Sequence, residues 1–171
     1  MSTPQPQQGH DGPYNTPLVV RDQVVRAEWI DYNGHMNVGY YGIAFDQAID
    51  QVFDHELGVG TAYITSARQG PYVLQSHMQF LQELLEGQAF SVQFRLIDHD
   101  HKRLHFFGEM MRQDDQVLCA TQEIIAMNVD HATGRSTSYP DWAQRRFARM
   151  QSDHAVLDRP TQLGASLGLR R

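Results

Sequence analysis

The segment Glu28-Trp29-Ile30-Asp31-Tyr32-Asn33-Gly34-His35-Met36-Asn37-Val38-Gly39-Tyr40-Tyr41 holds the residue types and spacing best suited to chemistry. Asp31, Asn33 and Gly34 are turn formers, and Asn37 is a good helix N-cap. A carboxylate, a tight turn and a helix start therefore fall within a few residues of one another. A helix N-terminus offers N–H groups without intrahelical partners and about half a positive charge. Aimed at a carbonyl, those donors form an oxyanion hole, and losing one typically costs ~2.7–4 kcal/mol of transition-state stabilisation. A carboxylate just upstream acts on the same carbonyl as general base or as nucleophile. The same residues also suit a plain turn and cap with no chemistry. Spacing alone leaves both readings open.

Four other patterns carry less. Gly164-Ala165-Ser166-Leu167-Gly168 matches G-x-S-x-G, but a nucleophile elbow needs a following helix and a later His. Only Leu169, Arg170 and Arg171 come after it. Gly58-Val59-Gly60 follows a helical pattern rather than a strand, and reads as a helix stop. Cys119 sits in an apolar run, where a thiol behaves as a small hydrophobe. Asp98-His99-Asp100-His101 has metal-ligand residue types, yet no second cluster completes a site, and a polar hairpin explains it. No metal and no other cofactor is expected.

The elements that must position Asp31 follow from periodicity. Residues 1–17, with Pro4, Pro6, Pro13 and Pro17, predict a disordered arm. A β-branched run predicts a strand over residues 18–29. Val38, Tyr41, Phe45, Ala48 and Val52 recur at three or four, which predicts a helix over residues 38–57. Asp46, Asp50 and Asp54 line another face, a mildly destabilising column, so packing must hold this helix. A loop through Tyr63 and Gly70 comes next. Period-two alternation then predicts strands over residues 72–80, 90–96, 103–112 and 116–129, with Asp114-Asp115 as a hairpin turn. Residues 141–150 predict a short basic helix. Strands in succession after one long helix imply an α+β fold, an antiparallel sheet of about five strands wrapped around that helix. One sheet edge then needs cover, which dimerisation would supply.

With 171 residues there is room for one domain, over residues 18–150, between the arm and a basic C-terminal tail at 151–171. The apolar fraction of 41% supports a core, and the net charge of −6 argues against nucleic acid as partner. No apolar run is long enough to cross a membrane, and no apolar stretch opens the chain as a secretory signal would. With the single cysteine, this predicts a cytoplasmic protein. The charge is uneven: from Arg135 onward, seven arginines face three aspartates. Either the tail is merely solvated, or arginines such as Arg145 and Arg146 face an anionic ligand or a neighbouring subunit.

Asp31-x-x-Gly34-His35-Met36-Asn37, with Tyr40-Tyr41 on the helix and Gln82-Glu83 before Gly87, closely resembles hotdog-fold acyl-CoA thioesterases of the 4-hydroxybenzoyl-CoA thioesterase-like group. The resemblance spans roughly residues 18–150. It implies a homodimer, or a tetramer built from dimers, with active sites between subunits. It assigns the catalytic carboxylate to Asp31 and the oxyanion donor to the backbone N–H of Val38, with His35 and Asn37 positioning the turn. Family members differ in whether the carboxylate attacks the thioester or activates water. Hydratases of the same fold carry Asp-x4-His, whereas three residues separate Asp31 from His35 here. A non-catalytic acyl-CoA-binding protein is the other alternative.

A narrower resemblance, to betainyl-CoA thioesterases of carnitine breakdown, rests on 31–37, Phe45-Asp46-Gln47-Ala48, Asp100-His101-Lys102-Arg103-Leu104-His105 and Asn128-Val129-Asp130. These enzymes occur alone or fused to L-carnitine dehydrogenase, and the chain fits the stand-alone form. The implied substrate carries a trimethylammonium group, which aromatic faces attract by about 0.5–2 kcal/mol each. Trp29, Tyr32, Tyr40, Tyr41 and Tyr63 are the expected aromatic contacts, Trp29 and Tyr32 foremost. Lys102 and Arg103, with His105 nearby, are expected to meet the phosphates of CoA.

Overall fold

Six antiparallel strands curl around the long helix α1 (Val38–Gln51) in a computed structural model that describes residues 8–169. The strands are β1 (Leu18–Val24), β2 (Gln69–Phe80), β3 (Ala89–His99), β4 (Arg103–Arg112), β5 (Leu118–Asp130) and the two-residue β6 (Arg135–Ser136). Their order is β1-β3-β4-β5-β2, with β6 beside β5, so β1 and β2 are the edges of the main sheet. The α+β architecture expected from the element order is the one that forms.

The apolar face of α1 builds the core. Tyr41, Ala44, Phe45, Ala48 and Ile49 turn inward onto Phe94, Phe106 and Ile124 of the sheet. Phe45 meets Phe94 edge-on, with ring centroids 6.3 Å apart. Gly108 of β4 makes this approach possible: a Cβ there would lie 2.7 Å from Phe94 and 3.1 Å from Phe45. After Gln51 the helix continues through Val52–Leu57 in wider π-helical turns and stops at Gly58, whose φ is 70°. The expected extent to residue 57 therefore holds. Burial, reinforced by Asp46 and Asp54, raises the Asp50 carboxyl above the usual range.

Three local expectations are corrected. The strand expected over residues 18–29 ends at Val24, after a register shift between Val20 and Gln23 where Asp22 takes a φ of 61°. The chain then makes a single 3-10 turn, Ala27–Trp29. The loop expected around Tyr63 is instead a helix, α2 (Thr61–Ala67), whose first N–H finds a carboxylate from outside it. Asp54 accepts from the Thr61 N–H at 2.5 Å, and from its hydroxyl at 3.2 Å. The basic helix α3 (Asp141–His154) runs four residues beyond its expected end at 150.

The ends of the chain are also better packed than composition suggests. Residues 8–17, expected to be a disordered arm, lie against α3. Tyr14 is buried and its N–H donates to Asp153 at 2.8 Å. Buried Arg146 pairs with Asp11 and donates to the carbonyls of Gln8 and Leu57. Beyond α3, the segment expected as a solvated tail reaches strands β3 and β5. Arg95 donates to Asp158 O at 2.6 Å, and the Gly164 N–H donates to Glu123 at 2.7 Å. The expectations for Pro4, Pro6, Arg170 and Arg171 lie outside the described residues. Among the described residues no helix is long and apolar enough to cross a membrane.

Candidate active site

The turn at residues 31–37 is built by its own backbone. The Asp31 N–H donates to His35 O at 3.1 Å, and the Gly34 N–H returns to Asp31 O at 3.0 Å. Gly34 adopts a φ of 81°, a left-handed conformation that side chains disfavour. Ile30 and Met36 pair across the base of the turn. This geometry fixes the Asp31 carboxylate. Its Oδ1 accepts from the Asn33 N–H at 2.8 Å, and its Oδ2 accepts from Asn37 Nδ2 at 3.3 Å. Asn37 also caps α1, its Oδ1 accepting from the Gly39 N–H at 2.9 Å. Val38 is the first residue of the helix, and its N–H has no acceptor among the described residues.

Asp31, Tyr32, His35, Asn37, Val38 and Tyr41 line one open pocket of about 580 Å³. The opposite wall is Phe80-Leu81-Gln82-Glu83, from the end of β2 and the loop after it, whose site role the residue pattern did not reveal. Two hydrogen bonds carry that loop to the turn. The Met36 N–H donates to Leu84 O at 2.8 Å, and the Leu84 N–H donates to the Tyr41 hydroxyl at 3.1 Å. The Tyr41 ring stands edge-on to Phe80, with centroids 5.2 Å apart. Burial raises the Tyr41 hydroxyl above its ordinary pKa. In the sequence, Gln82-Glu83 before Gly87 is the feature that points to this wall.

Several expected contacts lie elsewhere. Trp29 is 5% exposed, with Tyr40 stacked on it at 5.5 Å and Arg26 over its ring at 5.2 Å. Neither Trp29 nor Tyr40 lines the pocket. Tyr63 is 1% exposed, and its hydroxyl donates to Gln69 while accepting from Asn128. Two of the five expected aromatic contacts, Trp29 and Tyr63, are therefore core, because the elements that carry them turn their faces inward. Tyr32, at 96% exposure, is free at the pocket mouth.

Arg103 and His105 line a second hollow of about 460 Å³, apart from Asp31 within one chain. Arg103 is held by Asp100 at 2.6 Å. Burial alone would raise the Asp100 carboxyl, but the Arg103 side chain and the N–H groups of Lys102 and Arg103 hold it down at about 2. His105 Nε2 lies 2.8 Å from Glu123. Arg146, expected to face a ligand or a subunit, is buried against Trp142 and paired with Asp11. Asp98 and His99 end β3 and Asp100 and His101 begin the turn to β4, and no group of three metal-binding side chains forms among the described residues. Cys119 is fully buried, which pushes its thiol pKa up. The Gly164–Gly168 run lies in turns with no helix after it.

Known proteins resemble this chain in sequence and fold. An L-carnitine dehydrogenase/betainyl-CoA thioesterase of Rhizobium meliloti is 32% identical over 155 residues. These are 91% of this chain but 31% of the relative, so the chain spans about a third of that protein's length. A betainyl-CoA thioesterase of Pseudomonas aeruginosa is 28% identical, over 89% of this chain and 95% of the relative. A Staphylococcus aureus protein, solved in complex with CoA, superimposes with a TM-score of 0.80 at 26% identity, covering 91% of this chain and 95% of that one. Residues 25–147, from the Asp31 turn through the sheet and into α3, match a single family: the chain belongs to the thioesterase-like superfamily.

Proposed function

We propose that this protein hydrolyses a small acyl-CoA thioester, betainyl-CoA foremost, to the free acid and CoA. One observation carries the reading: the Asp31 carboxylate and the unengaged Val38 N–H open onto the same pocket. The names of the relatives from Rhizobium meliloti and Pseudomonas aeruginosa support the acyl group, and the CoA-bound neighbour supports the carrier.

The thioester oxygen accepts from the Val38 N–H, and the end of α1 stabilises the negative charge that builds there. Asp31 acts on the carbonyl carbon, by bonding to it or by taking a proton from the water that does. If Asp31 bonds to the carbon, the C–S bond breaks as an acyl–Asp31 anhydride forms, and water then hydrolyses the anhydride to free acid and restores the carboxylate. If water bonds to it, the C–O bond to water forms as the C–S bond breaks. On either route a proton from that water ends on the departing sulfur, giving the CoA thiol. Asn37 keeps the carboxylate aimed and the helix end in place. His35 lines the turn, with Nδ1 3.4 Å from Met36 O. Tyr32 and Tyr41 face the acyl group.

Lys102 and Arg103, with His105, are assigned to the CoA phosphates. Since they do not share the Asp31 pocket within one chain, this role calls for a second subunit. The β2 edge supports homodimerisation: Tyr72, Val73 and Leu74 are each about half exposed there although β5 pairs on the other side. A tetramer of two dimers is compatible with the same edge, and a cytoplasmic setting belongs to the same proposal.

Thiol release across betainyl, short-chain and aromatic CoA esters tests the reading. Turnover is expected with betainyl-CoA leading. Saturable CoA-ester binding without thiol release would mean a binding protein, and hydration of crotonyl-CoA a hydratase.

A further inference from the structure

Within one chain, the Asp31 pocket is lined by two carboxylates, Asp31 and Glu83, and by neither lysine nor arginine. The two differ in how they are held. Both oxygens of Asp31 accept hydrogen bonds from the turn. The Glu83 carboxylate has no ion pair and no hydrogen bond among the described residues. Arg112 approaches it only at the backbone, donating to Glu83 O at 3.2 Å, while its guanidinium is engaged by Asp115 at 2.7 and 2.9 Å. Phe80 and Tyr41 line the pocket beside Glu83, with Tyr41 fixed by the Leu84 N–H. The charge of Glu83 also contributes to raising the Tyr41 hydroxyl, which puts the carboxylate within electrostatic reach of that ring.

We propose that Glu83, together with the rings of Phe80 and Tyr41, is the determinant that selects a cationic acyl group, a quaternary ammonium of fixed charge. Such a group has no N–H to donate and no proton to lose. It is recognised by aromatic faces and by a carboxylate whose charge is not spent on another partner. A ring of hydrogen-bond acceptors would serve it no better than water does. The Phe80-to-Glu83 wall offers both features at the Asp31 pocket, which the rings of Trp29 and Tyr63 do not line. Anionic acyl groups would meet two like charges and be rejected.

This assignment rests on the thioesterase reading of the pocket, and its test separates the two. The full-length protein and its Glu83→Gln and Glu83→Lys variants are compared on betainyl-CoA and on 3,3-dimethylbutyryl-CoA, the neutral isostere. Glu83 is exposed, so both variants should melt with the wild type. The readout is the ratio of kcat/KM for the charged over the neutral ester. It should favour betainyl-CoA in the wild type, fall about tenfold in Glu83→Gln, and invert in Glu83→Lys. A ratio that stays within about twofold of wild type in both variants overturns the assignment and leaves the hydrolase reading intact. Absence of thiol from every ester overturns the hydrolase reading, and this one with it.

Discussion

Asn37 uses both ends of one amide: Oδ1 caps α1 at Gly39, and Nδ2 steadies the Asp31 carboxylate. The two roles can be separated. Asn37→Ala removes both and should lower Tm by a few degrees, since losing a cap costs about 1 kcal/mol. It should also cut kcat about tenfold, because a hydrogen bond to a charged group is lost. Asn37→Ser keeps a good cap, so Tm should recover while kcat does not. Recovery of both by serine would mean that the bond to Asp31 is idle. At this scale the sequence was informative wherever partners are close along the chain. Asp31, Asn33, Gly34, Asn37 and Val38 form one turn and one helix start, and local residue types specify it. The place of Phe80 and Glu83 beside Asp31 was hidden because they arrive through Leu84, bonded to Met36 and Tyr41 more than forty residues earlier. Trp29 and Tyr63 were misplaced because composition shows that an aromatic is near, not which way its face turns.

Among the elements, α1 was legible because its apolar period is its packing face. Helix α2 was not, since its first N–H depends on Asp54, which belongs to the preceding helix. Strand β2 shows a different limit. Its alternation of Tyr72, Leu74, Met78 and Phe80 with Gln75, His77 and Gln79 predicts one buried face, yet Tyr72, Leu74 and Phe80 are about half exposed in a single chain, as is Val73 between them. An edge strand with that much uncovered apolar surface should pair with a second copy. Light scattering should therefore find the wild type at twice the chain mass or more, and Val73→Lys at the mass of one chain. Lysine on an edge blocks strand pairing without disturbing a side chain that the monomer leaves exposed. A wild type that is monomeric at micromolar concentration would contradict the subunit-interface site, and Lys102 and Arg103 would lose their assigned role.

Across the described residues, the segments flanking the sheet, 8–17 and the stretch from α3 onward, are fastened by buried polar groups that composition cannot reveal. His154 joins three segments: its Nδ1 lies 2.9 Å from the Leu96 N–H, and its Nε2 lies 2.9 Å from Asn15 O. That pairing requires a neutral ring with the proton on Nε2. Burial, the largest influence, holds its pKa below the ordinary value. The unfolded chain therefore binds a proton more readily than the folded one. His154 imposes no penalty above about pH 6.5, and stability is lost as pH falls below that value. Melting curves should show Tm dropping from pH 7.5 to 5.5, with a shallower drop in His154→Gln. Equal slopes would show that His154 does not titrate on unfolding. Beside this docking, the hydrogen bonds of Leu84 with Met36 and Tyr41 hold the Asp31 turn against the loop after β2. The most direct measurement is thiol release from betainyl-CoA by the full-length protein and its Asp31→Asn variant. The variant should fold as the wild type does and lose about 10²–10⁴ in kcat, the range for a removed general base. Full turnover by Asp31→Asn would place the chemistry elsewhere.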